Sequence, residues 1–489
     1  MTQVMRTSLQ NLAPAPSNWN REKPFSDAQI SSAHFVGICG SGMKALAEMM
    51  SGLGWKVTGS DLQPSNPTLR AMQKQGLRVH VGHHDRFLPR DVDVLVYSPA
   101  VSPANPERCL ATRLKIPQMS YSQMLGYLMQ GRVGVAIAGT HGKSTTTAMT
   151  ATVLADAQFS ASAVIGAQLC GSGLSGWAGE DDLFVVESCE YQRSFLDLRP
   201  TYAAILGIEP DHFDYYRDFD ETKAAFAEFA RQLPQEGVLV IRGDCPASVA
   251  AAQCASAHVV SFSQQAGADW WATDQRCTAG GTWFRVFHQG DFFTEISLQI
   301  PGEHNLMNAL AAVALSHYAG ATSTQIRESL RDFSGICRRF ERVGSWRGVT
   351  LVDDYAHHPT AVQATLDTAR ESFGRRRIWC VFQPHQVSRT QALMQQFAES
   401  FSSADEILIA PIFEARENPG HEAETAAGEL TSRIAMHGPP ARFCHSLDQI
   451  MATIEDETRP GDVLITMGAG DIDRVHHELT RRLQRRHSA

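Results

Sequence analysis

One short segment constrains this chain more than any other. An apolar run, Val133-Gly134-Val135-Ala136-Ile137-Ala138, passes directly into Gly139-Thr140-His141-Gly142-Lys143-Ser144, and residues 145–158 have helical composition. Strand, glycine loop, lysine and helix in that order make a phosphate cradle. Backbone N–H groups and the positive end of the helix dipole converge on anionic oxygens. This reading assigns Lys143 to the β- and γ-phosphates of a nucleotide and the Ser144 hydroxyl to Mg²⁺. The spacing departs from the common Walker A form, which has a glycine five residues before Gly142; here that position is Ile137. A glycine turn that merely caps a helix has no use for the lysine and hydroxyl that follow it.

A strand-to-helix loop of this kind belongs to a parallel α/β sheet, and the rest of the chain agrees. Short apolar runs alternate with helical segments: Ala33 to Ile38, Val57 to Ser60, Val92 to Val96, then Leu183 to Val186 and Ala203 to Ile208. A further series begins after Arg338-Arg339, with runs starting at Val349, Ile378, Ile407 and Val463. This alternation predicts an α/β fold. At about 150 residues per domain the 489-residue length suits three domains. The composition shifts place a polar extension at 1–30, a first domain at 31–130, a central nucleotide-binding domain at 131–333 and a C-terminal domain at 334–489. Residues 255–300, with Trp270, Trp271, Trp283 and Phe284, are expected to form a small β-rich part of the central domain.

Ligands in open α/β sheets gather at the carboxyl ends of strands. Glu187 closes one apolar run, and Glu209-Pro210-Asp211-His212 closes another. Taken singly, these are a strand-end carboxylate and a surface histidine. Beside the loop, Ser144, Glu187 and His212 become a candidate Mg²⁺ set, since the cation prefers oxygen ligands and keeps several waters. The formal net charge of −9 argues against nucleic-acid binding, which needs a basic footprint. The ten scattered cysteines include no C-x-x-C pair, which points to free thiols in a reducing cytoplasm. No apolar stretch approaches the ~18 residues of a membrane span. The pairs His83-His84 and His476-His477 are read as surface histidines.

The loop, Glu187, Glu209-Pro210-Asp211-His212, the run Pro301-Gly302-Glu303-His304-Asn305-Leu306-Met307-Asn308, Asp353-Asp354-Tyr355-Ala356-His357-His358-Pro359 and Gln383-Pro384-His385 with Arg389 together resemble the Mur ligase family. The resemblance covers the chain from about residue 33. It implies a Rossmann-like UDP-binding first domain, a central P-loop ATPase domain and a Rossmann-like C-terminal domain. The start Gly37-Ile38-Cys39-Gly40-Ser41-Gly42, followed by Asp61, looks like a turn facing the diphosphate of UDP-N-acetylmuramate.

The implied chemistry is ATP-dependent addition of L-alanine to that sugar nucleotide through an acyl phosphate, with ATP and Mg²⁺ bound and no nucleic-acid or membrane partner. Lys143, Glu187, His212, His385 and Arg389 would be its catalytic residues. Gly139 to Thr145, His304, Asn305, Asn308, Arg339 and Asp354 would hold ATP. Tyr355, His357, His385 and Arg389 would line the amino-acid pocket. A monomer or homodimer is expected.

Four residues depart from the family pattern: Ser144 for Thr, Cys189 for Asp, Ala356 for Gly, and Gln386 where a basic residue normally follows the histidine. The last bears on amino-acid specificity. Tripeptide addition to the same sugar nucleotide and an ATP-binding scaffold are the alternatives to alanine ligation. A nicotinamide dehydrogenase built on the Gly37 to Gly42 turn would leave the phosphate loop without a role.

Overall fold

The computed structural model describes residues 30–487 except 63, 279, 415–416 and 418–421. The polar N-terminal extension, apart from Ile30, therefore lies outside the described residues.

Three sheets are built in succession. The first holds β1 (Ser32–Val36), β2 (Lys56–Asp61), β3 (Arg78–Val81), β4 (Val94–Tyr97) and β5 (Gln118–Ser120), in the order β3-β2-β1-β4-β5. Every pairing is parallel. The strand order reverses between β1 and β4, and the Gly37 to Gly42 turn leaves the carboxyl end of β1 there, at the crevice where such sheets take ligands.

The second sheet is larger. It contains β6 (Val133–Ala138), β7 (Ser162–Val164), β8 (Gly176–Trp177), β9 (Leu183–Glu187), β10 (Tyr202–Ile205), β11 (Val238–Arg242), β12 (His258–Ser263), β13 (Trp270–Thr278), β14 (Gly281–His288) and β15 (Asp291–Leu298). Their order is β15-β14-β13-β12-β11-β10-β6-β9-β7-β8. The β-rich part is thus an antiparallel extension of the same sheet, joined through the parallel β12–β13 pair. Its strands alternate buried and exposed residues, whereas β6, β10 and β11 are nearly continuous buried runs. A strand covered on both faces needs apolar residues throughout; one half-covered needs them at every second position. Helices Lys143–Asp156 and Glu303–Tyr318 are buried along most of their length, and Ser, Thr and Ala dominate the first.

The third sheet has β16 (Glu341–Trp346), β17 (Val349–Asp354), β18 (Ile378–Phe382), β19 (Glu406–Ile409), β20 (Ala441–Phe443) and β21 (Val463–Met467), ordered β16-β17-β21-β18-β19-β20. Only β16 runs antiparallel to its neighbour. The sheets break between Met129 and Val133 and between Asp332 and Glu341. Among the described residues no helix is long and apolar enough to cross a membrane.

Two histidines read as surface residues are not. His476 is buried, its Nε2 lying 2.6 Å from Thr466 Oγ1 and 3.1 Å from the Val352 carbonyl. His83 contacts Ser60 Oγ at 3.0 Å and the fully buried Glu107 at 3.2 Å. Glu107 also meets His34 Nε2 at 2.6 Å and accepts from Ser60 Oγ at 2.8 Å. A carboxylate removed from water is tolerated only with partners of this kind, and they come from distant positions in the chain.

Candidate active site

The phosphate loop leaves β6 and enters helix Lys143–Asp156 through Gly142, whose φ is +80°. A side chain there would need a left-handed backbone and would collide with Asn308 Oδ1. Asn308 lies on helix Glu303–Tyr318, so that helix is packed hard against the loop. Asn308 Nδ2 donates to Asn305 Oδ1 at 3.3 Å, and Asn305 Nδ2 donates to the Pro301 carbonyl at 2.7 Å. The loop is tied to the end of β10 as well. Thr140 N donates to the Gly207 carbonyl at 2.9 Å, and Glu209 N donates to Thr140 Oγ1 at 2.9 Å.

Lys143 Nζ lies 2.9 Å from Glu190 Oε2 and donates to the Gly139 carbonyl at 2.6 Å. His212 Nε2 reaches the other Glu190 oxygen at 3.3 Å. Burial opposes both charges of the lysine–glutamate pair. It is outweighed: Glu190 holds the ammonium above its ordinary value, and Lys143 and His212 hold the carboxyl below its own, so the pair is ionised. Ser144 Oγ donates to Glu187 Oε2 at 2.7 Å, and Gly166 N donates to the same oxygen at 2.8 Å. The three candidate metal-binding residues thus flank one loop, with Glu190 joining His212 to Lys143. Thr145 is buried beneath it.

The third sheet presents its polar strand ends to this loop. Arg389 donates from Nε to Asp211 Oδ1 at 2.9 Å, its Nη2 lies 2.8 Å from the same oxygen, and its Nη1 is 2.9 Å from His385 Nδ1. Arg389 is 3% exposed. Burial would raise the Asp211 carboxyl, but Arg389 holds it well below the usual carboxylate range. Thr360 Oγ1 donates to Glu209 Oε2 at 2.7 Å, and the rings of His141 and His358 meet at 4.8 Å. Despite burial, His141 and Thr360 bring the Glu209 carboxyl down to about 2.

His357 contacts the Tyr355 carbonyl through Nδ1 at 2.8 Å, and its ring lies 5.6 Å from that of His385. Arg339 stacks over the Tyr355 ring at 5.0 Å. Burial, reinforced by Arg339, lowers His304 to about 4, which leaves the imidazole neutral near pH 7. Asp354 is buried and accepts from the Phe340 and Ala356 amides, each at 2.7 Å, so its carboxylate organises the segments carrying Arg339 and Tyr355.

In the first sheet, Asp61 Oδ2 accepts from Cys39 N at 2.9 Å and so fixes the Gly37 to Gly42 turn. A Cβ on Gly42 would press on the Tyr121 ring at 2.9 Å. Tyr121 also feels the charge of Glu187, and burial with that charge pushes its phenol upward. Tyr121 thus packs on the Gly37 to Gly42 turn, a position that no local pattern in the sequence marks. Glu190 and Asp211 were likewise missed as partners of Lys143 and Arg389, although both sit in motifs that had been noticed. Cys189 is exposed.

Models of known families match all three units: "Mur ligase family, catalytic domain" over residues 32–133, "Mur ligase middle domain" over 137–316 and "Mur ligase, glutamate ligase domain" over 338–470. A UDP-N-acetylmuramate--L-alanine ligase of Desulfitobacterium hafniense is 39% identical over 91% of this chain and 98% of its own length. One from Salinibacter ruber is 38% identical over 91% and 94%. The crystal structure of a UDP-N-acetylmuramate-alanine ligase from Thermotoga maritima superposes with a TM-score of 0.79 at 25% identity, covering 93% of this chain and 99% of that one. A murein peptide ligase from Psychrobacter arcticus gives 0.72 at 26% identity, covering 92% and 98%. Matched in all three units by models of the family and along nearly its whole length by these relatives, the chain belongs to the Mur ligase family.

Proposed function

We propose that the chain uses ATP to join L-alanine to the lactyl carboxylate of UDP-N-acetylmuramate, a step in making peptidoglycan precursors. The observation carrying this reading is the meeting of the phosphate loop with Arg389 and His385 across Asp211, in a chain 39% identical to a relative of that activity. A lactyl carboxylate oxygen attacks the γ-phosphorus, the bond to the bridging oxygen breaks, and ADP leaves. The alanine amine then attacks the acyl carbon, inorganic phosphate leaves, and the nitrogen gives up a proton.

This chemistry is mostly positioning and charge neutralisation. Lys143 turns from the Gly139 carbonyl toward the β- and γ-phosphates; its ion pair with Glu190 keeps it charged and aimed. Asn305 and Asn308 serve the adenine side, and Arg339 approaches from the third unit. His385 and Arg389 face the amino acid and its carboxylate. The Gly37 to Gly42 turn and Asp61 serve the UDP moiety. Ser144 and Glu187, two hard oxygen donors already in contact, with His212 at a second position, fit Mg²⁺, which when bound would neutralise phosphate charge. Ten free cysteines suit work in the reducing cytoplasm, as a monomer or homodimer.

The test is phosphate release from ATP with substrates added singly and together, and product masses from L-alanine, glycine, L-serine and the tripeptide. Release that needs both UDP-N-acetylmuramate and L-alanine is expected. Release indifferent to either substrate overturns the reading. A product bearing only the tripeptide assigns the recycling reaction instead.

A further inference from the structure

Cys170 follows β7 in the central unit, and Cys337 lies on the segment that leads into the third. Neither belongs to the site above. Their backbones pair: Cys170 N donates to the Gly335 carbonyl at 3.0 Å, Cys337 N donates to the Gln168 carbonyl at 2.8 Å, and Leu169 opposes Ile336 in an antiparallel bridge. Side chains alternate faces along such a bridge, so both cysteines fall on the same face, diagonally placed. Glu341, which opens β16, brings a carboxylate to the same point, held by a 2.8 Å hydrogen bond from Arg338 N. The two sulfurs and a carboxylate oxygen lie within 4.8 Å of one another, and all three residues are half-buried.

We propose that Cys170, Cys337 and Glu341 bind a thiophilic divalent cation of the zinc class, which clasps the hinge between the central and third units. Thiolate ligands select soft and borderline cations. Bonds of about 2.3 Å to sulfur and about 2.1 Å to oxygen require donors a little under 4 Å apart, which these side chains reach by small rotations. A disulfide fits less well, because diagonal strand neighbours sit about 7–8 Å apart, beyond the span that a disulfide bridges without backbone movement.

The cation takes two sulfurs and one oxygen, with solvent in a fourth position, and the remaining thiol protons pass to water. Its effect is local and mechanical. It pins residues 335–337 to the loop whose Gly166 supports Glu187, and it does so directly before Arg338 and Arg339.

The test uses the full-length, metal-free, reduced protein titrated with Co²⁺. A thiolate-to-cobalt charge-transfer band should saturate at about one equivalent and disappear when Zn²⁺ is added. Cys170→Ser and Cys337→Ser should each abolish it, while Cys109→Ser, at an exposed site, should keep it. Glu341→Gln should keep the band but weaken binding about 10- to 100-fold. A measurement on the unaltered protein stands beside these: Zn²⁺ should protect Cys170 and Cys337, but not Cys109, from alkylation mapped by peptide mass. No band, a band surviving both serine variants, alkylation unaffected by Zn²⁺, or a Cys170–Cys337 disulfide without metal uptake would each overturn the proposal.

Discussion

Asp211→Asn is the most informative change at the domain interface. Asp211 and Arg389 are both buried, with one carboxylate oxygen 2.8 and 2.9 Å from two guanidinium nitrogens. The pair joins the end of β10 to the third unit, so it is assembled only when the two units are closed on each other. Removing one partner of a buried pair typically costs about 3–5 kcal/mol, because the other charge is left without compensation. Here the cost falls on the closed arrangement: opening returns Arg389 to water.

At about 1.4 kcal/mol per decade, closure should weaken by roughly 10²- to 10³-fold or more, and kcat/KM should fall in proportion. Small-angle scattering with a non-hydrolysable ATP analogue should show a larger radius of gyration for the variant than for the parent. Asp211→Asn combined with Arg389→Met removes both charges and should recover the compact form; it should not recover activity if Arg389 holds the amino-acid carboxylate, as proposed above. An Asp211→Asn enzyme with parental kcat/KM and parental dimensions would refute the assignment of the pair as the interface lock.

Two further outcomes test the loop and the buried histidine. Gly142→Ala must place an alanine at φ +80° and against Asn308. At about 1–2 kcal/mol for the left-handed conformation alone, ATP affinity measured by calorimetry should drop about 5- to 30-fold or more. His476, buried and lowered to about 4, favours its neutral form in the fold. A depressed histidine contributes stability that is whole above the unfolded value near 6.5 and is lost as pH falls toward 4. That loss is about 3 kcal/mol. Urea titrations at pH 7 and pH 4 should show a smaller pH difference for His476→Gln than for the parent; an equal difference would remove His476 from the account.

The sequence by itself determined the strands that carry the site, the phosphate loop and the family, whereas short strands such as β3, β5, β7 and β20, and also β11, went unmarked. Each depends on local order: an apolar run, a glycine with positive φ, a lysine and hydroxyl opening a helix. The β6 run and its loop are legible because strand, turn and helix propensities act over a few residues, and the same holds for β9 ending in Glu187 and β18 ending before His385. The fold decided which charges meet. Arg389 reaches Asp211 across 178 positions and Thr360 reaches Glu209 across 151. Cys170 and Cys337 are unremarkable in the chain and adjacent in the structure.

Periodicity carries no information about such pairs, since they form only after independent sheets dock and exclude water between them. The two surface-histidine readings hold for His84 and His477, which are exposed, and failed for His83 and His476 for the same reason. A histidine followed by a histidine has no local signature of burial, and His476 is enclosed only because β17 and β21 lie side by side beneath it.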